Sequence, residues 1–376
     1  MSKTTRRPEV VAIYCPLWHG YDHASSWKGE GWCEWELVKS AIPRFPGHRQ
    51  PLKPCWGCFD ESDPQWAARE IALAADYGID VFLFDWYWYS GVRIMEEALE
   101  RGFLRTPTRR RIKFALMWAN HDWSDYFPPP FGEPWNMWLP SRHTPRDLER
   151  AIDYCIEHYF RRANYWRVDG RLFYSIFQPV KLVDELGGAK AARKLLRRMD
   201  RRLRDAGLPS LHWNAMVWTA EPVAMLKEAG FRSTTTYIVN TAGKAAPDLT
   251  EQYEDLMGGH RDVWRRMSAA PLPYLPVVSM GWDVTPRCVE DVPWPFPPSP
   301  LSGRHDYPYM SVVVGNTPER YERLCRDAAA HIVKDPAKPF AVMLNAWNEW
   351  TEGSYLLPEE RTGTAFLEAV ERVFGE

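Results

Sequence analysis

The sequence predicts a single-domain α/β fold, a (β/α)8 TIM barrel with long βα loops on its C-terminal face. Three observations carry this. Eight short apolar runs rich in β-branched and aromatic residues recur along the chain, a helix-patterned segment follows each run, and ionisable residues gather where the runs end.

The first strand, 10–18, reads "VVAIYCPLW" and is continuously apolar, as a strand covered on both faces must be. A long irregular segment leads to a helix at 64–77, opened by Asp63-Pro64: an acid at the cap position, then a proline whose fixed φ suits the first turn. The second strand, 80–89 ("DVFLFDWYWY"), precedes a helix at 92–104, and the third, 113–120 ("KFALMWAN"), one at 144–163. Strand four, 171–177, leads to a helix at 187–206, strand five, 211–218, to 221–229, and strand six, 233–239, to 251–268. Strand seven, 274–282, is followed by a helix at 317–333 that opens on Thr317-Pro318, and strand eight, 340–347, by a closing helix at 362–374. No low-complexity linker interrupts the series, so residues 1–376 are expected to form one domain. Helix 187–206 is densely basic, yet Leu195, Leu196, Met199 and Leu203 recur at helical spacing, which makes its arginines a solvated outer face.

Composition narrows the partners. With 47 basic and 49 acidic side chains the formal net charge is −2, which gives no broad electrostatic case for nucleic acid or an anionic membrane. The chain carries 20 Trp, 17 Tyr and 16 Phe, and rings beside acids and amides suit sugars, whose C–H faces stack while their hydroxyls hydrogen-bond. No run is long enough for a signal peptide or a membrane span, so the expected setting is cytoplasmic. Seven scattered cysteines agree with a reducing compartment. The "CWGC" pair, Cys55 and Cys58, lacks the second pair a structural zinc needs and reads as ordinary loop cysteines. "HGYDH" sets His19 and His23 four apart, but in a loop and outside the H-E-x-x-H pattern, so no metal is expected. Oligomeric state has no signature here.

The loops after strands one and seven are long and contain Trp, Glu and His, and both fall on the rim where barrel enzymes build their sites. Strand two ends with Asp85, Trp86, Tyr87 and Tyr89; strand three with Trp118, Asn120, His121 and Trp123; strand five with Trp218; strand seven with Trp282 and Asp283; strand eight with Trp347, Asn348, Glu349, Trp350 and Glu352. Glycoside cleavage needs one protonated carboxyl to release the leaving oxygen and a second, ionised group to assist attack. Ring-lined walls and a neighbouring carboxylate both raise a carboxyl's pKa, so Glu349 and Glu352 among tryptophans are the candidate catalytic pair. Spacing does not say which of them holds the proton. Asp85, Asn120, His121 and Asp283 are candidates for substrate contact or for a supporting hydrogen bond, and loop one adds Glu34 and Trp35, with Glu30, Glu34 and His19 each read first as an ion-pair partner.

The blocks "GEGWCEWELVKSAIPRFPGHRQP", "ADYGIDVFLFDWYWYSG", "MWANHDW", "GWDVTPR", "GNTPERYERL" and "NAWNEWTEGSYLLP", in this order, resemble the WbsX-like proteins, a family related to glycoside hydrolase family 99 of the endo-α-mannosidase type. The resemblance implies a barrel that acts on carbohydrate without a cofactor. It implies that Glu349 deprotonates the sugar 2-hydroxyl and that Glu352 is the general acid/base at the glycosidic oxygen, with retention through a 1,2-anhydro sugar. Thr351 stands where those mannosidases commonly have histidine, so the sugar stays open. Two other readings are carried: a glycosyltransferase of surface-polysaccharide assembly, against which stands the lack of a D-x-D pair, a P-loop or a G-x-G-x-x-G turn, and a non-catalytic glycan-binding module.

Overall fold

The computed structural model describes residues 7–21, 27–125, 128–239, 246–335, 337 and 339–375; His23 lies outside them. At its centre stand parallel strands β1 (Glu9–Tyr14), β2 (Val81–Tyr89), β3 (Lys113–Trp118), β4 (Arg171–Ile176), β5 (Leu211–Met216), β6 (Ser233–Thr235), β7 in two pieces (Tyr274–Leu275 and Val277–Ser279) and β8 (Ala341–Asn345). Neighbours in sequence are neighbours in the sheet, and β8 returns to pair with β1, Val10 opposite Val342. The circle closes because β7 changes partner at Pro276: its first piece pairs with β6 through Tyr274, its second with β8 through Val277. Proline has no N–H to give a ladder, and here its carbonyl accepts from Met343 N at 2.9 Å. Every barrel strand falls where the sequence predicts it.

The helices depart from expectation in three places. Residues 92–104 are not one helix: Ser90 and Gly91, at φ 50 and 101, form a two-residue turn that folds Val92–Ile94 back antiparallel on β2, and only Ala98–Phe103 is helical, with π geometry. Arg150 seals that turn by donating to Ser90 O at 3.0 Å. The first loop contains a short helix, Trp35–Ser40, that buries Trp35, Leu37 and Val38. A further helix, Pro179–Glu185, precedes the basic one at Ala189–Asp205, whose leucines and Met199 are buried as its periodicity requires.

Strand alternation decides which side chains reach the barrel's mouth. On β2, Asp85 and Tyr87 face inward, while Phe82, Phe84, Trp86 and Trp88 face the helical shell, where Trp86 meets Tyr159 and Trp88 meets Tyr154. On β3 the same parity sends Met117 inward and Trp118 outward against His143.

Candidate active site

After β8 the chain makes a tight hairpin, Asn348–Glu349 pairing with Ser354–Tyr355 around a single 3-10 turn, Trp350–Glu352. Gly353 closes it at φ 65, where a Cβ would lie 2.9 Å from Asp283 N, so the close approach that lets Asp283 N donate to Glu352 O at 2.8 Å needs glycine. Trp350 stacks on Tyr355, centroids 4.1 Å apart, and backs the turn. Asn348 clasps the end of β1: its amide oxygen accepts from Cys15 N at 2.8 Å and its amide nitrogen donates to Cys15 O at 2.9 Å. Both glutamates thereby face one pocket of about 460 Å³ on the C-terminal face, walled by Tyr87, Trp123, Phe177, Trp218, Tyr237 and Trp282.

One guanidinium organises the acids. Arg287 Nη2 donates to Glu349 Oε1 at 2.6 Å and to both oxygens of Glu34 at 3.0 and 2.9 Å, while Nη1 donates to Glu352 Oε1 at 2.6 Å and to Tyr307 OH. Tyr307 OH donates to Glu352 at 3.0 Å, and Thr351 Oγ1 donates to Glu34. Glu349 and Glu352 share one buried cation, and both do not ionise there cheaply, so the pair retains a proton. Burial pushes the Glu349 carboxyl up, Arg287 opposes this, and Glu352 and Glu34 reinforce it. Burial raises Glu352 as well, against the pull of Arg287 and the Tyr307 hydroxyl. Glu352 accepts from Tyr307 at 3.0 Å beside Arg287, whereas the added donors of Glu349 are weaker, Thr351 Oγ1 at 3.5 Å and the Cys15 thiol, so in the free site the proton favours Glu349.

Across the pocket, Asp85 accepts from Tyr237 OH at 3.3 Å and from the Cys15 thiol at 3.7 Å. Its Oδ1 has no partner among the described residues, and burial, then Glu349, hold its pKa well above the carboxylate range. Burial also keeps His121 below the usual imidazole range.

Of the residues expected at the site, Asp85, Tyr87, His121, Trp123, Trp218, Trp282, Glu349 and Glu352 line the pocket. The others do not. Trp86 and Trp118 are turned to the shell by strand parity; Trp347 follows, packing on Phe82 and donating to Glu70 at 2.9 Å. Tyr89 is buried at the start of the hairpin turn. Asn120 is consumed by Gln178 and His143, and Asp283 by His48 at 2.9 Å, Gln50 at 2.7 Å and Thr285. Asn348 and Trp350 brace the hairpin, Trp35 donates to Phe59 O at 2.8 Å, and Glu34 stands behind Arg287. His19 does pair with Glu61 at 2.9 Å and Glu97 at 3.2 Å, as an ion-pair partner should. Sequence reasoning missed Arg287, Tyr307, Tyr237, Trp135 and Phe177. Arg287 lay within the quoted "GWDVTPR" block, the only signal that pointed to it. Among the described residues no cluster of three or more His, Cys, Asp or Glu is placed to hold a metal ion, and no helix is long and apolar enough to cross a membrane.

The family model described as Glycosyltransferase WbsX matches residues 10–370. The chain belongs to the WbsX family. Two "Uncharacterized protein WxcX" sequences from Xanthomonas campestris pv. campestris are similar to this WbsX member. That of strain B100 is 27% identical over 98% of this chain and 50% of its own length; that of strain ATCC 33913 is 27% identical over 96% and 48%. The chain thus spans about half the length of the curated relatives it matches. Among solved structures, a GH99 endo-α-mannosidase from Bacteroides thetaiotaomicron with bis-tris-propane superposes with a TM-score of 0.60 at 13% identity, covering 97% of this chain and 95% of that one. A "Glycoside hydrolase-like protein" gives 0.61 at 14% identity, covering 100% and 96%. At such identities the likeness is one of fold: this WbsX protein shares the barrel of glycoside hydrolases.

Proposed function

We propose that the protein is a glycosidase acting on O-glycosyl bonds of an oligo- or polysaccharide, with Glu349 and Glu352 as its carboxyl pair. The observation that carries this reading is the fork of Arg287, which holds both acids at one end of a ring-walled pocket while leaving them one proton to share. A sugar 2-hydroxyl donating to Glu349 stabilises its carboxylate, and a glycosidic oxygen accepting from Glu352 stabilises its acid form. Binding therefore moves the shared proton from Glu349 to Glu352. Glu349 then takes the 2-hydroxyl proton as O2 attacks C1, the C1–leaving-oxygen bond breaks, and Glu352 protonates that oxygen. Water, deprotonated by Glu352, opens the 1,2-anhydro ring at C1 while Glu349 returns the proton to O2, giving net retention. The relatives' structures support an α-mannoside-like substrate only by analogy. Seven unpaired cysteines support a cytoplasmic setting as part of the proposal.

Glu349→Gln and Glu352→Gln should each lower turnover by roughly 10²–10⁴-fold, with folding and sugar binding kept. The assay is a panel of defined α- and β-linked oligosaccharides, with NMR of the first-formed anomer. Normal turnover in both variants sinks the reading. The family's description favours a second one, a glycosyltransferase. Against it, the guanidinium among the described lining residues is already bonded to Glu34, Glu349 and Glu352, and a nucleotide diphosphate donor would compete with those carboxyls for it. Calorimetric binding of nucleotide sugars would restore the transferase.

A further inference from the structure

We propose that the sugar ring held at the two carboxyls is a 6-deoxyhexose, because the pocket meets the C5 substituent with an apolar wall that takes a methyl group and offers the hydroxyl of a hydroxymethyl group no acceptor. The inference rests on the glycosidase reading above, which engages C1 through Glu352 and O2 through Glu349.

Tyr237 sets the plane of the ring. It follows β6, yet its hydroxyl donates to Asp85 on β2 at 3.3 Å and lies 3.1 Å from Sγ of Cys15, just past β1. The phenol thus spans the barrel's mouth from one side to the other and spends its polar end there, which leaves its ring as a floor of the pocket. Such a ring suits the C–H face of a pyranose.

A six-membered ring laid on that floor meets the strand ends in order, because strands adjacent in sequence are adjacent in the barrel. Cys15 and Asp85 feel Glu349 before Glu352, so with C1 at Glu352 and C2 at Glu349, C3 falls toward Asp85 on β2. C4 then comes to Met117, Ala119 and His121 at the end of β3, and C5 to Phe177, Trp218 and Ile238, which follow β4, β5 and β6.

The polar groups sort the same way. Asp85, whose buried Oδ1 has no partner among the described residues, serves O3, and His121 and Gln178 stand where O4 arrives. Around C5 the side chains of Phe177, Trp218 and Ile238 carry one polar atom between them, the indole N–H, which donates and cannot accept. A C6 hydroxyl would give up water and find no acceptor for its proton among them, whereas a methyl group there removes apolar surface from water on both partners.

The wall is preformed. Phe177 meets Trp218 and Tyr237 edge-on with centroids 5.4 and 5.6 Å away, so wall and floor make one corner, and Ile238 is buried within it. Trp218, 43% exposed, is the part that the fold leaves uncovered.

The test uses matched aryl glycosides, each 6-deoxyhexoside beside its parent hexoside: rhamnoside and mannoside, fucoside and galactoside, quinovoside and glucoside, as both enantiomers and both anomers. In the pair cleaved best, the wild type should favour the 6-deoxy member by roughly ten- to a hundredfold in kcat/KM, the range in which an apolar pocket rejects an added hydroxyl. Ile238→Thr, which brings an acceptor to the wall, and Trp218→Gln, which does so from an exposed position, should each pull that ratio toward one, with thermal melts to verify folding. Where cleavage occurs only in oligosaccharides, the same comparison is made between 6-deoxy and parent residues at the cleaved position. Equal or better cleavage of the parent hexoside by the wild type overturns the wall, and so does a preference that neither variant moves. If the wild type cleaves neither these glycosides nor the oligosaccharide panel, the glycosidase reading fails instead. Calorimetry with methyl 6-deoxyhexosides and methyl hexosides then decides: tighter binding of a 6-deoxy member supports the wall, while equal binding, or none, overturns it.

Discussion

The two banks of the pocket handle buried acids in opposite ways. On the Glu352 bank a guanidinium reaches three carboxyls at once, and a tyrosine and a threonine add neutral donors. On the Asp85 bank a carboxyl meets only a phenol and a thiol, with one oxygen unpartnered among the described residues. Under the proposed glycosidase reading the difference divides the work. A buried carboxyl bonded only to neutral donors, with another acid nearby, stays protonated and can give or accept a hydrogen bond to a sugar without changing state. A pair that shares one cation and one proton can exchange it, which acid–base chemistry requires.

Removing the cation tests this most severely. Arg287→Met strands the carboxyls in a buried site, and the expected loss is roughly 3–5 kcal/mol of stability, read by denaturant unfolding, together with loss of turnover. A variant as stable as the parent would show that Arg287 is not the partner that makes the cluster tolerable. Asp85→Asn probes the other bank. An amide closely mimics a protonated carboxyl in shape and neutrality, so KM should rise several-fold with kcat largely kept, and the melting temperature should not fall. A large loss of kcat would mean that Asp85 works ionised, and the contrast between the banks would collapse.

The smallest effect is in the pH dependence of stability, set by buried groups that touch the end of β1 and the Trp347–Asn348 segment. Burial, then Glu61, pushes Glu70 up to about 8, and although burial opposes it, Glu61 and Glu97 raise His19 to about 9. Both bind protons more tightly folded than unfolded. His19 contributes stability that is complete below its unfolded pKa of about 6.5 and is lost as pH rises through about 9. Glu70 costs progressively more as pH climbs from the ordinary carboxyl range toward about 8. The melting temperature should therefore fall by a few degrees between pH 7 and 9, and Glu70→Gln, which keeps partners for Tyr14 and Trp347, should flatten the slope. A rising or level profile in the parent would contradict these shifts.

The barrel was legible because each strand is a run covered on both faces, and such runs announce themselves in any order of loops. The acid pair was legible because it follows the last run directly. Rings at strand ends misled where parity was not counted: Trp86 and Trp118 share a strand with Asp85 or Met117 but face the other way. Asp283 was found as a polar residue on the rim, yet His48 and Gln50 occupy it, and partners 233 and 235 positions distant leave no trace in local pattern. Arg287 and Tyr307 come from an irregular loop, where no periodicity says which way a side chain points. The 92–104 segment carried its own warning in Ser90-Gly91, a turn pair that outweighed the helical spacing after it.

Asn348 and Cys15 are 333 positions apart, and the amide of one is fastened to the backbone of the other. During synthesis the opening strand must therefore wait, unclasped, until nearly all of the barrel has left the ribosome. A product of this chain ending before Asn348 lacks both that fastening and the two glutamates that the hairpin after it turns into the pocket.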